Sequence, residues 1–195
     1  MLDNILKLSC DLRLNGILDV VEQRISQAYE QKLSYEELLT ILLQDQYEYQ
    51  QNNALSRRIK TAKFEEYKSF DDYQTKNYSM EANSVINTLK TGKFLKDKNH
   101  VIIMGPVGTG KTHLSQALGM LACQRNRKVK FIRSNELLNE FYRSRADSTY
   151  DALFKRYTKF DVLILDDFGL KILSAEQSSD LYDLIAAVHI NASLI

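Results

Sequence analysis

Tryptophan is absent from the 195-residue sequence, which has only one proline, two cysteines and seven glycines. The cysteines, Cys10 and Cys123, lie in unrelated patterns, which favours reduced thiols over a disulfide or a metal site. No apolar run approaches the roughly 20 residues of a membrane span, and the N-terminus lacks the features of a signal peptide. We therefore expect a cytoplasmic protein of one or two domains that does not contact a membrane.

Three of the seven glycines and the only proline, Pro106, lie in residues 105–112, which read GPVGTGKT. This stretch matches the pattern G-x-x-x-x-G-K-[ST] of phosphate-binding loops, or P-loops. Glycine allows backbone angles that turn successive N–H groups toward an anion, and the helix that follows adds its positive N-terminus. The apolar run at 101–104 predicts a strand before the loop, and residues 113–124 predict a helix after it. The alternative is a glycine-rich turn before an ordinary helix.

The P-loop pattern predicts a site for ATP and Mg2+. Lys111 is expected to reach the outer phosphates and to assist catalysis, and the Thr112 hydroxyl is expected to ligate the metal. The predicted nucleotide contacts are Gly105, Pro106, Val107, Gly108, Thr109, Gly110, Lys111, Thr112 and His113.

The apolar residues 162–165 predict a buried parallel strand that ends in Asp166 and Asp167. Because α/β folds bind ligands at the C-terminal ends of their strands, we expect this pair beside the P-loop. Asp166 is then predicted to hold Mg2+, and Asp167 to polarise an attacking water as a catalytic carboxylate. The alternative is a pair of capping aspartates. Further strands are predicted at 129–132 and 192–195.

The first 64 residues contain one glycine and no proline, and their apolar spacing predicts helices. Ser34 and Glu37 form a capping-box pattern that begins a long helix through residue 62. The regular pattern breaks at 65–83, and residues 84–94 predict a short helix. We predict a helical N-terminal interaction domain over 1–70, a linker over 71–83 and a nucleotide-binding core over 84–195.

The net charge of +1 conceals an uneven distribution of charged residues. Residues 90–160 have 15 basic and 5 acidic side chains, whereas residues 1–80 have 10 basic and 13 acidic side chains. A basic excess suits polyanions such as DNA, and a solvated surface is the alternative. Near the end of the long helix, Arg57 and Arg58 either contact DNA or an acidic partner, or are charges that offset the helix dipole.

Residues 104–114 (MGPVGTGKTHL) and 163–169 (LILDDFG), with residues 12–16 (LRLNG) and 33–39 (LSYEELL), resemble the IstB-like ATP-binding proteins. These are ATPase helpers encoded beside the transposases of insertion sequences, and they are relatives of the DnaC helicase loaders. The likeness spans nearly all of the chain. It implies an α/β fold: a P-loop NTPase core of the AAA+ class with a parallel sheet, preceded by a small all-α domain.

The resemblance also implies a function. Proteins of this family assemble as oligomers on double-stranded DNA in an ATP-dependent way and stimulate a transposase subunit. A helical insertion between their second and third strands corresponds here to residues 134–158. That insertion makes Arg143, Arg145, Lys155 and Arg156 the candidates for DNA-phosphate contact.

The family pattern continues with a sensor residue, a fifth strand and an arginine finger supplied to the neighbouring subunit. None of these is found here, so we expect a sheet core that is incomplete at the C-terminus, weak ATP binding and impaired hydrolysis. A truncated gene copy and a fragment would both explain this. The alternatives are a DnaC-like helicase loader and a non-catalytic truncated interaction module. The Asp-Asp pair, in place of Asp-Glu, favours the transposition helper.

Overall fold

The computed structural model describes residues 2–73 and 78–195. Contacts divide the chain into two compact units, Met1–Ser56 and Arg57–Ile195, with the boundary inside one continuous helix. This boundary precedes the predicted linker at 71–83, of which residues 74–77 lie outside the described part. Residues after Ser56 belong to the second unit because they contact it: Arg58 Nε donates a hydrogen bond to the Cys123 carbonyl at 2.9 Å. The domain limits at 70 and 84 stay a prediction.

The first unit consists of helices, as its apolar spacing predicts. They are α1 (Leu2–Asp11), α2 (Asn15–Leu18), α3 (Val21–Gln31) and most of α4 (Tyr35–Ala62). The predicted capping box begins α4: the Glu37 N–H donates to Ser34 Oγ at 3.2 Å, and Glu37 Oε2 accepts from the Ser34 N–H at 2.7 Å. The helix then continues for 28 residues, since no glycine or proline interrupts it. No described helix, α4 included, combines the length and the apolarity needed to cross a membrane.

Polar contacts join the helices of the first unit. A Cβ atom at Gly16 would lie 2.8 Å from the Gln46 Cα atom, so α2 approaches α4 closely only because this residue is glycine. The buried Gln46 side chain accepts hydrogen bonds from the N–H groups of Gly16 at 2.9 Å and Ile17 at 3.3 Å. On α3, Arg24 binds the two carboxylate oxygens of Asp45 at 2.7 and 2.8 Å.

The second unit contains helices and strands after the end of α4. They are α5 (Met80–Lys90), α6 (Lys93–Asp97), α7 (Lys111–Gln124), β1 (Val129–Arg133), α8 (Ser134–Ala146), α9 (Tyr150–Tyr157), β2 (Val162–Asp166), α10 (Ala175–His189) and β3 (Ser193–Leu194). The single helix predicted at 84–94 is wrong, because α5 begins earlier and Gly92, with a φ of +70°, separates it from α6. A left-handed residue ends a helix, and glycine adopts that conformation without strain.

The strands form a parallel sheet in the order β1-β2-β3. The strands predicted at 129–132, 162–165 and 192–195 are therefore present. Alternate side chains point to opposite faces. Ile164 faces α7, where a Cβ atom at Gly119 would lie 2.7 Å from Ile164 Cδ1, whereas Leu163 and Leu165 join a core with α8, α9 and α10. Because both faces are covered, β2 is apolar along most of its length.

The apolar run at 101–104 does not join the sheet, so the strand predicted before the P-loop is wrong. The run does lie beside β3, since the Val101 N–H donates to the Leu194 carbonyl at 2.8 Å and His100 Nδ1 accepts from the Leu194 N–H at 3.0 Å. A strand requires a ladder of such bonds, and β3 has only two residues. The side chains of Ile102 and Met104 are consequently exposed.

Candidate functional site

The P-loop lies directly before α7, as its pattern predicts. Gly108 and Gly110 both have a φ of +81°, a left-handed conformation that side-chain-bearing residues rarely adopt. Lys111 begins α7 immediately after Gly110. The N–H groups in the first turn of a helix have no partner within the helix, and such groups bind phosphate at many helix N-termini. The glycine spacing therefore produces a turn whose backbone donors remain available for an anion.

Thr112 and Asp166 are in direct contact, although 54 residues separate them. Thr112 Oγ1 lies 3.0 Å from Asp166 Oδ2 and 3.2 Å from Oδ1. They meet because α7 packs on β2, and Asp166 is the last residue of that strand. Hydroxyl and carboxylate oxygens are the ligands that Mg2+ prefers, so these two residues fit the predicted metal.

The Pro106 carbonyl accepts two hydrogen bonds from within the loop. Lys111 Nζ donates to it at 2.9 Å, and Thr109 Oγ1 donates to it at 2.8 Å. The Lys111 ammonium thus lies at the loop itself, where the P-loop pattern assigns it to phosphates. The side chain of Val107 is 98% exposed, so any contact of Val107 with a nucleotide would come from its backbone.

Asp167 follows the metal-ligand candidate in a left-handed conformation, with a φ of +54°. Its Oδ2 atom lies 3.9 Å from Nε of Arg133, the last residue of β1. Arg133 also binds Glu65, with Nε 2.7 Å from Oε1 and Nη2 2.9 Å from Oε2, and this hydrogen bonding raises the pKa of Arg133. Sequence reasoning missed Arg133 and Glu65. The alignment of neighbouring parallel strands, which pairs Arg133 with Asp166, could have indicated Arg133, whereas no motif identifies Glu65.

Tyr73 and Tyr78, which no motif identified either, border the P-loop. The Tyr78 hydroxyl donates to the Thr109 carbonyl, and the Tyr73 hydroxyl donates to the Tyr78 hydroxyl at 2.9 Å. Burial raises the pKa of Tyr73, and the hydrogen bond with Tyr78 raises it further. The predicted nucleotide contact His113 faces this pair: its ring meets the Tyr73 ring edge-on at 5.0 Å, and its Nε2 lies 3.1 Å from the Ser69 carbonyl. The His113 side chain therefore makes its contacts within the fold.

The basic residues predicted to contact DNA do not form a single patch. Arg143 and Arg145 are two residues apart on α8, and residues with this spacing do not share a helix face. Arg143 lines an open groove of about 410 Å³ between α8 and α9, together with Arg156. In that groove Arg156 Nη2 lies 3.1 Å from Glu140 Oε2. Lys155 is exposed on α9.

Arg145 is engaged within the fold. Its guanidinium donates to both carboxylate oxygens of Asp180 on α10, its Nε lies 3.2 Å from Glu176 Oε1, and it stacks 4.4 Å from the Tyr150 ring centre. Burial would raise the pKa of Asp180, but hydrogen bonds from Arg145 and Tyr150 hold that pKa below its usual value. Asp180 is only 3% exposed and Arg145 is partly exposed, so this is a partly buried ion pair that joins α8 to α10. The structure thus gives Arg145 a role within the fold, and its contact with DNA stays a prediction.

The two arginines near the end of α4 differ in their exposure to solvent. Arg57 is exposed, whereas Arg58 is half-buried and its Nε donates to the Cys123 carbonyl. Cys123 and Cys10 are both free thiols, and burial raises the pKa of Cys123 to about 11. Of this pair, therefore, Arg57 is the residue whose side chain is presented to solvent.

Comparison with known proteins relates this site to a family. The family model of the IstB-like ATP binding proteins matches residues 7–195. An insertion-sequence ATP-binding protein of Mycobacterium tuberculosis is 34% identical over 175 residues, which are 90% of this chain and 70% of that protein. The ATP-binding protein of insertion sequence IS1162 from Pseudomonas fluorescens is 30% identical over 89% of this chain and 76% of its own length.

A solved structure supports the fold independently. The crystal structure of a DNA replication initiation factor superposes with a TM-score of 0.53 and 22% identity, over 65% of this chain and 41% of that chain. At this identity the likeness concerns the fold alone, and it agrees with the P-loop core of AAA+ type that the resemblance implied. Together with the match over residues 7–195, the P-loop and the strand ending in Asp166 show that the chain belongs to the family of IstB-like ATP binding proteins.

Proposed function

We propose that this chain binds ATP with Mg2+ and serves as a helper of DNA transposition, assembling as a homo-oligomer on double-stranded DNA and stimulating a partner transposase. The observation that carries the nucleotide part is the contact of Thr112 Oγ1 with the Asp166 carboxylate at 3.0 and 3.2 Å. It brings the end of the P-loop and the end of β2 together, as a site for phosphate and metal requires. The transposition part rests on membership of the family.

Each residue of the site has a distinct role in this proposal. The backbone of residues 105–113 and the Lys111 ammonium bind the phosphates, and Thr112 and Asp166 hold Mg2+. The metal, when bound, neutralises charge on the phosphate oxygens. Asp167 orients and polarises the attacking water. Its exposed position beside Asp166, in a left-handed conformation that residues other than glycine rarely adopt, supports this role.

Titration with a fluorescent ATP analogue, with and without Mg2+, tests the nucleotide part. Lys111→Ala is expected to raise Kd about tenfold or more, because it removes the charge that faces the phosphates. Asp166→Asn is expected to abolish the strengthening by Mg2+ and to leave metal-free binding unchanged. Lys128→Ala, at an exposed lysine before β1, is the control and should bind as the original chain does. Equal affinity of Lys111→Ala and Lys128→Ala would remove the basis of the proposal.

Asp167→Asn separates hydrolysis from binding. If Asp167 acts on the attacking water, this substitution lowers ATP turnover and leaves the Kd for ATP unchanged. A fall in affinity as large as the fall in turnover would instead place Asp167 among the binding residues.

DNA binding is assigned to the exposed arginines Arg57 and Arg143, with Arg156 and Lys155 on α9. Gel-shift titration at several salt concentrations tests this. Arg143→Ala should weaken binding similarly for unrelated sequences and reduce the salt slope by about one, as expected for the loss of a phosphate contact. Arg127→Ala, at an exposed arginine outside the α8–α9 region, is the matched control. An unchanged salt slope in Arg143→Ala would show that DNA lies elsewhere.

A further inference from the structure

The first unit exposes more large apolar side chains than it buries. Among the residues of this unit that the structure describes, the buried apolar side chains are Ile17 and Val21. The exposed ones are Ile5, Leu8, Leu12, Tyr29, Tyr35, Leu39, Leu43 and Tyr47. Extended apolar surface on a folded unit marks a site of interaction, since exposure of such side chains to water is unfavourable.

Three of these side chains form a stripe on α4, which we call the α4 stripe. Leu39, Leu43 and Tyr47 are 58%, 56% and 57% exposed. They are spaced by four residues, so they follow one another along the same helix face. Asp45, two residues from both Leu43 and Tyr47, lies on the opposite side of α4, where it binds Arg24 of α3. The stripe therefore lies on a face that the helices of the first unit leave uncovered.

The charged side chains of α4 before residue 57 are all acidic. No lysine, arginine or histidine occurs between residues 33 and 56. Glu36, three residues before Leu39, is exposed beside the stripe, whereas Asp45 and Glu48 lie toward Arg24 on the other side of the helix. Residues 1–56 as a whole contain nine acidic and four basic side chains, an excess of five negative charges. An apolar stripe with acidic flanks is complementary to an apolar face with basic flanks.

We propose that the α4 stripe is a docking surface for a basic amphipathic helix of a partner protein. The partner helix would place apolar side chains at a spacing of three and four residues against Leu39, Leu43 and Tyr47, with lysine or arginine facing Glu36. Charge argues against the other occupants. A second copy of this unit would bring a further five negative charges, and DNA would bring its phosphates. The proposal is independent of nucleotide binding, because none of its residues belongs to the P-loop.

Fluorescence anisotropy with the full chain and two labelled peptides tests this surface. One peptide is an amphipathic helix of leucine and lysine of about 18 residues, roughly five turns, and the other replaces each lysine by glutamate. At about 0.15 M salt the lysine peptide should bind saturably, and the glutamate peptide about tenfold or more weakly. Leu39→Ala with Leu43→Ala should weaken the lysine peptide about tenfold or more, since alanine keeps the helix but removes the apolar contact.

The matched control replaces two exposed leucines at another helix. Leu8→Ala on α1 with Leu12→Ala directly after it, where the side chains are 50% and 67% exposed, should leave binding of the lysine peptide unchanged. Glu36→Lys keeps the stripe and should weaken binding through charge alone, which provides a second test if the alanine variant loses helix by circular dichroism. The P-loop variant Lys111→Ala should bind the peptide normally even if it no longer binds ATP.

Five results would overturn the proposal. The first three are that the lysine peptide fails to bind, that both peptides bind equally, and that the α1 variant loses as much affinity as the α4 variant. The fourth is a dimer, detected by light scattering, that dissociates in Leu39→Ala with Leu43→Ala, which would assign the stripe to a second copy of the chain. The fifth is binding of a DNA duplex to the original chain, detected by gel shift without peptide, that is lost in the same variant, which would assign the stripe to DNA.

Discussion

Replacing Arg145 by alanine distinguishes a structural arginine from a DNA-binding one, and Arg143 on the same helix is its natural control. The Arg145 guanidinium donates to both oxygens of Asp180, at 2.7 Å for Oδ2, and the Tyr150 hydroxyl donates to Asp180 Oδ1 at 2.8 Å. The Asp180 side chain is 4% exposed and the Arg145 side chain 35%. Arg145→Ala would therefore leave a buried carboxylate with one side-chain donor, that of Tyr150.

The structure allows the size of the effect to be worked out. Removal of one member of a buried ion pair costs about 3–5 kcal/mol. The partial exposure of Arg145 and the remaining bond from Tyr150 place this case below that range, at about 2–3 kcal/mol in the free energy of unfolding. For a chain of this size Tm falls by about 2–4 °C for each kcal/mol, so we expect a decrease of roughly 5–10 °C. Arg143→Ala, at an exposed position, should change the stability by less than about 0.5 kcal/mol.

The pH dependence of the Tm difference between the original chain and Arg145→Ala provides an independent check. The pKa of Asp180 in the folded chain lies below its usual value, so folding stabilises the ionised form. The contribution of the pair is complete above the unfolded pKa of about 4 and is lost as the pH falls through the folded pKa. The Tm difference between the original chain and Arg145→Ala should thus be constant from neutral pH down to about pH 5 and should shrink at lower pH.

Thermal unfolding by circular dichroism measures these differences, and gel shifts of the same variants measure DNA affinity. If the ion pair is structural, Arg145→Ala loses stability while Arg143→Ala loses DNA affinity. A Tm for Arg145→Ala within about 2 °C of that for Arg143→Ala would refute the reasoning about the buried pair. A smaller salt slope for DNA in Arg145→Ala, at a temperature where the variant is folded, would return Arg145 to the DNA contacts.

Three further predictions follow from buried contacts. A thiol reagent at about pH 8 should modify Cys10 and spare Cys123, because Cys10 is exposed and burial raises the pKa of Cys123 to about 11; reaction of the folded Cys10→Ser variant as fast as in denaturant would contradict this. Gly119→Ala should destabilise the second unit by about 1–3 kcal/mol in urea titrations, because the new Cβ would lie 2.7 Å from Ile164 Cδ1; a stability equal to that of the original chain would show that α7 can shift. Gln46→Leu should cost about 1–3 kcal/mol, since it leaves the Gly16 N–H without its acceptor; an unchanged urea midpoint would mean that water replaces the side chain.

The positions that the sequence alone determined are those where a local pattern carries the physical reason. Glycines at 108 and 110 are required because the backbone there has φ of +81°, and Ser34 and Glu37 form a capping box within four consecutive residues. Four apolar residues before Asp166 indicate a buried strand because water is excluded from both faces of the sheet. Each of these features depends on neighbours in sequence, so the predicted P-loop, strand and helix start agree with the structure.

Tertiary structure decided whatever depends on residues distant in the chain. The run at 101–104 has the composition of a strand, but a strand exists only where a partner offers a ladder of backbone groups, and β3 has two residues. Arg143 and Arg145 are the same residue type on the same helix, but their side chains lie on different helix faces. Only Arg145 contacts the carboxylate of Asp180 on α10. Glu65 reaches Arg133 across 68 residues, and Tyr78 reaches the Thr109 carbonyl across 31. Sequence therefore determined the backbone of the P-loop, and packing decided which charged side chains form ion pairs within the fold.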